Sequence, residues 1–590
     1  MAEANSSMSS ETKSKINPDE YLFVIALDFG TTYSGYAFSS RSEFEDNPLK
    51  IQNNQEWIAS GTSLLSLKTP TSLLIKKDGD FVAFGYEAED KFYAALENES
   101  HKDLMLFRRF KMKLYNKMGI NESLLIEDVT GEEFQGKHIF TIFLKALADH
   151  FKTSIQKQKL TINLRHDLKW VLTVPAIWSE AAKKFMRHCA IDAGIPDEML
   201  MIALEPEAAS IYAKYLPIER YPNGFGMTKD GTRYMVVDIG GGTADITVHE
   251  KVKGGKLREL HQATGGACGG TAVDAAFESR LNDILGEKVM KRLQEKKTET
   301  YLDIFREFEV AKRALHPNKT DTIRMTISFV SLNELCQEIE KKTLTEMFEN
   351  VEGMYIKGDK LHIDVETMKQ FFKPSITELI NHMQSIMENP QADGISLILL
   401  VGGSADSKHL KSEVEKAFDS VQLIVPPEAG LAVLRGAVIF GHCPTVIMSR
   451  ILRFTYGTAV GKEFDPAIHR EDKKVTIDDK DKCVDCFSTI ISAGTEIEIG
   501  HKEMANFSTT SYYQELATVK IFCSPHNEVQ YTDDEGCFKL GELSVSLDGD
   551  IMTHDFDVIF VFGDTELQVM AIEHGSSTLS ACTLKMNEES

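Results

Sequence analysis

Two stretches of this chain, YLFVIALDFGTTYSGYAF near its start and YMVVDIGGGTADITVHE in its middle, share one construction, and that construction limits the fold more than any other feature. In each, an apolar run rich in β-branched residues ends at an aspartate, Asp28 or Asp238, turns through glycine and threonine, and continues as a second strand-like run. Glycine removes the Cβ that would hold a phosphate away from the backbone, and successive N–H groups in such a turn form an anion-binding concavity. Threonine hydroxyls add donors. The aspartates cannot face phosphate directly, but they can hold the water shell of a Mg²⁺ ion. Asp245, seven residues beyond Asp238, adds a carboxylate on the return strand. One such hairpin is more often only a tight turn. Two of them, with a third glycine turn at Gly402–Gly403 after the buried-strand pattern GISLILLV, predict opposed phosphate hairpins clamping a di- or triphosphate between two lobes. Neither GxxxxGK[ST] nor GxGxxG spacing accompanies these turns, which disfavours the other common phosphate-binding loops.

Up to His442, strand-like and helix-like segments alternate, the pattern of an α/β architecture. VLTVPAIW reads as a strand, and SEAAKKFMRHCAIDAG as a helix opened by Ser179 with Glu180 in its first turn. From about Thr445 the pattern changes to short β-branched and aromatic segments, TVKIFCS, GELSVSLDGD, DVIFVFG and LQVMAIE, which predict a compact β domain. The expected layout is a polar tail over 1–20, an α/β unit over 21–444, a β-rich unit over 445–575 and a tail over 576–590; a chain of 590 residues has room for more than two domain-sized units. With 65 basic against 89 acidic residues the net charge is −24, which argues against a general nucleic-acid or anionic-membrane surface. No apolar run of about 18 residues predicts a membrane span. The polar N-terminus has no apolar signal core, and the nine cysteines are scattered, so the expected location is the cytoplasm, with the nucleus open.

These motifs in this order resemble the actin, hexokinase and heat-shock-chaperone superfamily, and within it the seventy-kilodalton heat-shock chaperones. ALDFGTTYSG and VVDIGGGTADITV are similar to their two phosphate motifs, TVPAIWSEAAKK to their hinge, and IALEPEAASIYA to their first connecting helix. ATGGACGGTAVDAAF is similar to the segment after the second hairpin, EVAKRAL to the adenine-binding helix, and ILLVGGSADSKHLKSEV to the adenosine motif. TPTSLLI, FVAFGYEAEDKF, FRRFKMKLY, VPPEAGLAVLRGAVIFG and FGDTELQVMAI look most like the divergent heat shock 70 kDa protein 12A/12B subfamily.

The resemblance implies a two-lobed actin-like (ribonuclease H-like) ATPase fold followed by a small, mostly-β domain diverged from a substrate-binding unit. It implies ATP/ADP and Mg²⁺ as cofactors, with K⁺ as a companion ion, slow hydrolysis to ADP and phosphate, and unfolded or specific client proteins and co-chaperones as partners. By position, Gly30, Thr31, Thr32 and Tyr33 would hold the β- and γ-phosphates from one lobe, and Gly240, Gly241, Gly242 and Thr243 from the other. Asp28, Asp238 and Asp245 would organise the hydrated Mg²⁺, and Glu205 would orient the attacking water or relay the hydrolysis state. Lys111 is the candidate γ-phosphate lysine, with Lys113 or Arg109 as alternatives. Glu309, Lys312 and Arg313 would surround the nucleoside, and Gly402, Gly403 and Ser404 would close the adenosine pocket. Pro175 and Lys183 match the hinge.

The pattern departs from the family at four places. His316 and Pro317 stand where the adenine helix has a serine, and Asp406 where the adenosine motif has an arginine. The junction HCPTVIMSRILRFTYG lacks the acidic-leucine interdomain linker, and no helical lid pattern follows the β region. Three readings therefore stand: a lidless chaperone-like ATPase, a nucleotide-gated scaffold that hydrolyses little, and a small-molecule kinase of the same superfold. Cys483 and Cys486 form a CxxC without a second ligand pair, so two loop thiols are the default over a zinc site. Cys268 in the glycine loop reads as a small filler rather than a reactive thiol, and Trp178 as packing.

Overall fold

The structure, a computed structural model, describes residues 20–54, 57–58, 65–115, 120, 123–157, 163–216, 229–477, 479–509, 514–547, 554–563, 565–574 and 579–582. The expected tails fall almost wholly outside them. Two mixed sheets form the α/β part. The first runs in the order Leu200–Leu204, Leu168–Val174, Phe23–Asp28, Tyr33–Ser40 and Gln52–Asn53. Its first three strands are parallel, and Tyr33–Ser40 returns antiparallel to Phe23–Asp28. FVIALD is apolar almost throughout because strands flank both of its edges and helices cover its faces, as in buried parallel strands generally.

The second sheet repeats this plan in the order Gln422–Ile424, Ile395–Val401, Arg233–Ile239, Ala244–Lys251 and Leu257–Gly266. Arg233–Ile239 pairs parallel with Ile395–Val401 and antiparallel with Ala244–Lys251. Two apolar cores fill the α/β part. One includes Val24, Leu27, Phe143 and Trp170 of the first half and reaches Val236, Leu397 and Leu399 on one face of the second sheet; the other includes Val237, Phe277, Phe308 and Leu400 on its opposite face.

The helix Glu180–Asp192 opens as its sequence dictates, with the Ser179 hydroxyl accepting the Ala182 N–H at 3.2 Å. The helices Glu205–Lys214 and Ala432–His442 cross at Gly436, where a Cβ would lie 1.6 Å from the Ala208 carbonyl oxygen, so only glycine permits this crossing. Among the described residues no helix is long and apolar enough to cross a membrane.

Beyond His442 the described residues form strands, with Pro444–Val446 and Glu471–Lys473 as short 3-10 turns. A five-stranded sheet, Lys474–Ile477, Lys480–Ile491, Thr455–Glu463, Leu516–Ser524 and Phe538–Ser546, faces a four-stranded one, His501–Ser508, Asp555–Phe562, Gln568–Glu573 and Leu579–Cys582. Ile521, Cys523, Leu543, Val558 and Phe560 fill the core between them. The expected boundary at 444/445 is not a clean cut. Ile447–Ile451 pairs parallel with Leu257–Gly266, and Glu496–Glu498 pairs with Ile447–Ile451, so both extend the second α/β sheet. The segment read as a lost linker is a sheet strand.

Ion pairs reinforce this junction. Arg450 donates from Nε and Nη2 to the two carboxylate oxygens of Glu207, both at 2.7 Å, and from Nη1 to the Gly563 carbonyl. Arg187 pairs with Glu566 at 2.6 Å, and the Thr565 hydroxyl donates to the Ile202 carbonyl at 2.9 Å. Glu259 accepts the Ile451 N–H at 2.8 Å, and burial, aided by the nearby Glu207 charge, pushes its carboxyl up to about 8.

A carboxyl whose folded value is raised binds its proton more tightly folded than unfolded, so stability declines as pH rises from about 4.3 through 8, by at most about 1.4 kcal/mol per pH unit. Glu259→Gln removes this term. Melting temperatures measured near pH 6 and pH 8 are therefore expected to fall less in the variant than in wild type. An equal fall in both would show that Glu259 is charged in the fold at neutral pH.

Candidate functional site

The hairpin turns at Asp28–Tyr33 and Asp238–Thr243 meet across a cavity of about 660 Å³ between the two sheets. Their tips are in near contact. A Cβ on Gly241 would lie 2.4 Å from the Thr32 hydroxyl, and one on Gly242 would lie 2.6 Å from that of Thr31. The second turn is held from behind. The carbonyls of Gly240, Gly241 and Gly242 accept N–H groups from Gly270, Thr271 and Gly269, at 3.2, 2.7 and 3.2 Å. In a trans peptide the N–H points opposite to the C=O. The N–H groups of Gly241, Gly242 and Thr243 therefore point away from that segment, into the gap between the turns. This is the anion-binding concavity that the sequence implied.

Below the turns lies a cluster of buried charge. Lys111 Nζ sits 2.6 Å from Glu205 Oε1 and 5.2 Å from the centre of the Trp178 ring. Lys68 Nζ sits 2.6 Å from Asp28 Oδ2 and 2.7 Å from the Gly430 carbonyl, and the Thr173 hydroxyl bonds Asp28 Oδ1 at 3.2 Å. Burial pushes the Glu205 carboxyl up to about 7, against the pull of Lys111 and with the help of Asp28 and Asp245. Burial, then Glu205, Asp245 and Asp28, raise Asp238 well above the carboxylate range. Burial also raises Asp245, which the Ile177 N–H and the Thr243 hydroxyl counter. Mutually repelling carboxylates at the foot of a cavity form the donor set of a hard, oxygen-preferring cation such as Mg²⁺, whose charge would relieve that repulsion.

Of the residues assigned from the sequence to the phosphates, the Mg²⁺ ion, the γ-phosphate lysine and the nucleoside, all line this cavity except Asp245 and the alternative cations Arg109 and Lys113; the hinge residues Pro175 and Lys183 lie outside it. Asp245 stands opposite Asp238 in the hairpin ladder, one layer back, where it accepts the Ile177 N–H at 2.9 Å and the Thr243 hydroxyl at 3.1 Å. It bears on the site through the Thr243 hydroxyl and through its charge, which helps raise Glu205 and Asp238. Of the three cationic candidates, Lys111 faces the cavity, Arg109 pairs with Asp274 at 2.8 Å, and Lys113 pairs with Glu127 at 3.2 Å near the surface. At the outer end, Lys312 is held by Asp274 and Glu309 at 2.7 and 2.6 Å, and Arg313 by Glu309 at 2.8 Å.

Gly402 has φ +89°, and a Cβ there would strike Asp238 Oδ1 at 2.3 Å, whereas Gly403 faces open space. Ser404 Oγ donates to the Gly240 carbonyl at 2.9 Å, tying the third turn to the second. Asp406 lines the cavity; His316 does not. Cys268 lines it as well, but burial pushes its thiol up to about 12, which fits a filler rather than a nucleophile. Lys68, Tyr86, Phe372 and Glu428 were not picked out from the sequence; they arrive from loops and helices without a glycine signature.

Two sheets that each end in an Asp–Gly–Thr hairpin at a shared cavity make the class of actin-type, nucleotide-clamping cores. The chain belongs to the Hsp70 family: the family model described as Hsp70 protein matches residues 107–549. It is 30% identical to heat shock 70 kDa protein 12B of Homo sapiens, over 93% of this chain and 89% of that one. It is likewise 30% identical to heat shock 70 kDa protein 12A of Homo sapiens, over 96% of this chain and 92% of that one. With chaperone protein DnaK of Thermotoga petrophila it shares 22% identity, over 81% of this chain and 70% of that one. The family resemblance drawn from the motifs therefore holds, and with it an ATP-binding, Hsp70-like protein.

Proposed function

We propose that this chain binds MgATP across the opposed hairpins, hydrolyses it slowly, and uses the nucleotide state to bias its C-terminal β region in a chaperone-like role, from the cytoplasm. The observation that carries this reading is the buried Lys111–Glu205 pair beside Asp28 and Asp238 at the foot of the cavity. Phosphoryl transfer needs positioning and charge neutralisation more than covalent chemistry. Gly30, Thr31, Thr32, Tyr33 and the N–H groups of Gly241, Gly242 and Thr243 clamp the phosphates. Asp28 and Asp238 would hold the hydrated Mg²⁺, with K⁺ as a companion ion, and Asp245 holds Thr243 in place. When bound, Mg²⁺ supplies charge neutralisation at the phosphate oxygens. Lys111 places a further positive charge at the γ-phosphate, and Glu205, poised near neutrality, orients the attacking water. Glu309, Lys312 and Arg313 enclose the nucleoside against Gly402, Gly403 and Ser404.

A bonded route leads from this site to the β region. Asp245 holds the Ile177 N–H, while Arg453 donates to the carbonyls of Ala176 and Trp178 on either side, at 2.9 and 3.2 Å. Pro175 opens this segment, and Lys183, paired with Glu180 at 2.9 Å, lines the cavity of about 70 Å³ where it meets the β region. A shift at Asp245 on nucleotide exchange thus reaches Arg453 through one short hinge.

The nucleotide-gated scaffold is the second reading. It is favoured by Asp406, an acidic group where a purine-stacking cation would serve, and by the buried pairs that fasten the β region to the core. Mg²⁺-dependent ATP binding and single-turnover hydrolysis of the full chain, beside Asp238→Ala and Glu205→Ala, separate the two. Slow wild-type turnover lost in both variants supports the ATPase reading. Tight binding with no phosphate released places the scaffold first. Absence of nucleotide binding refutes both.

A further inference from the structure

The two thiols of the CxxC, expected on a loop, lie on the strand Lys480–Ile491. In a regular strand, residues three apart point to opposite faces. Here Asp485 adopts φ +55°, and the ladder slips: Val460 faces Cys486 and Lys462 faces Cys483, so Lys480–Ile491 takes three steps to its partner's two. This one-residue bulge turns both sulfurs to the same side, where both are buried. His469, fourteen residues upstream of Cys483 on another loop, brings a ring nitrogen to the same point, and the three ligand atoms all lie within 4.8 Å of one another.

The three segments around this point are already fastened together. The Phe487 N–H donates to the Gln530 carbonyl at 2.9 Å, and the Thr532 N–H to that of Asp485 at 2.9 Å. The Arg470 N–H donates to the Tyr531 hydroxyl at 2.8 Å, and Gln530 Nε2 to the Ile468 carbonyl at 2.8 Å. Tyr531, with Val460 and Phe464, packs an apolar wall against the two sulfurs.

We propose that Cys483, Cys486 and His469 form a Zn²⁺ site, with water in the fourth place. Two soft sulfurs and one imidazole are a zinc donor set, and tetrahedral bonds of about 2.3 Å place the sulfurs about 3.8 Å apart, within the spread already present. On binding, both thiols release their protons to solvent and each sulfur forms one bond to the ion, so two protons leave for each Zn²⁺ and no electron is transferred. The departing protons take with them the contacts from Cys483 Sγ to the Val484 carbonyl, 3.8 Å, and from Cys486 Sγ to the Cys483 carbonyl, 3.7 Å, and one further hydrogen bond opens at the histidine. His469 Nδ1 now accepts the Asp465 N–H at 2.9 Å. If the ring ligates through Nδ1, that lone pair is used. If it ligates through Nε2, Nδ1 takes up the proton and becomes a donor. Either way the Asp465 contact is exchanged for a metal bond, so zinc occupancy reshapes the loop from Phe464 to Arg470 and staples it to the bulged strand.

The test uses reduced, chelator-treated full-length protein titrated with Co²⁺ and then Zn²⁺. The expected result is about one equivalent of Co²⁺ with a thiolate-to-cobalt charge-transfer band, bleached by Zn²⁺. Cys483→Ser and Cys486→Ser lose that band, and His469→Ala, on a half-buried loop position, binds at least tenfold more weakly, since loss of even a supporting residue costs about that much. Circular dichroism and melting confirm that each variant is folded. A folded wild type that shows no thiolate band overturns the proposal, because cobalt held by the carboxylates of the nucleotide cavity gives none. A band unchanged in Cys486→Ser overturns it too. So does a wild type that refuses zinc yet closes a Cys483–Cys486 disulfide in air, which would make the pair a redox couple.

Discussion

Lys111→Met is expected to slow single-turnover ATP hydrolysis by about 10²–10³-fold while changing ATP affinity by less than about tenfold. The size follows from what removal of one preorganised charge-stabilising donor costs in other enzymes. The split between rate and affinity follows from position. Many groups share the ground-state charge of the phosphates: the N–H groups of Gly241, Gly242 and Thr243, the hydroxyls of Thr31 and Thr32, and Lys68 on the Asp28 side. Lys111 is the cation beside Glu205, where the attacking water would sit, and the charge it meets grows as the γ-phosphate leaves. Its side chain is 5% exposed and its ammonium is held between Glu205 and the Trp178 ring, so little reorganisation is needed when that charge develops. Methionine keeps the length of the stem and most of its packing. If turnover survives unchanged in Lys111→Met and falls instead in Lys68→Met, the catalytic cation is Lys68 and the assignment drawn from FRRFKMKLY is wrong.

The contrast between these two lysines shows how far the sequence reaches. The hairpins were legible because their requirement is local: strand, aspartate, glycine and threonine must be adjacent for the backbone to approach a phosphate. Gly402 was legible for the same reason, its φ of +89° being needed where a Cβ would strike Asp238. Lys111 emerged through resemblance and then through geometry that removed Arg109 and Lys113. Lys68 had no local signature, since its meaning comes from Asp28, forty residues earlier in the chain. Asp245 was placed at the site by its neighbours, but strand alternation against its cross-strand partner Asp238 does not say which carboxylate opens on the cavity. His469 was the missing third ligand beside the CxxC, and neither strand nor helix periodicity points to a loop residue. The role of the junction was not legible for a related reason. HCPTVIMSRILRFTYG lacks the pattern of a linker, yet Ile447–Ile451 finds a sheet edge on Leu257–Gly266 that only the folded core provides.

That junction carries the second large effect. Arg450→Met is expected to destabilise the docking of the β region by about 3–5 kcal/mol, the usual cost of removing one partner from a buried ion pair. Arg450 and Glu207 are 8% and 3% exposed, and the pairing is bidentate, so the variant leaves the Glu207 carboxylate buried without its counter-ion. The Gly563 carbonyl loses its donor as well. Because the chain is larger than one cooperative unit, the loss should appear as an earlier, separate unfolding step rather than as a uniform shift of one transition. Glu207 lies in the helix that begins at Glu205, so a strained Glu207 also disturbs the residue proposed to orient water. Differential scanning calorimetry and limited proteolysis at the 445–455 segment read the effect directly. The double variant Arg450→Met with Glu207→Gln removes both charges and is expected to recover more than half of the lost stability, since replacing a buried pair by neutral groups is far less costly than splitting it. If the double variant is as unstable as Arg450→Met alone, the cost lies in the lost Gly563 contact and in packing, and the ion pair is not what holds the β region to the core.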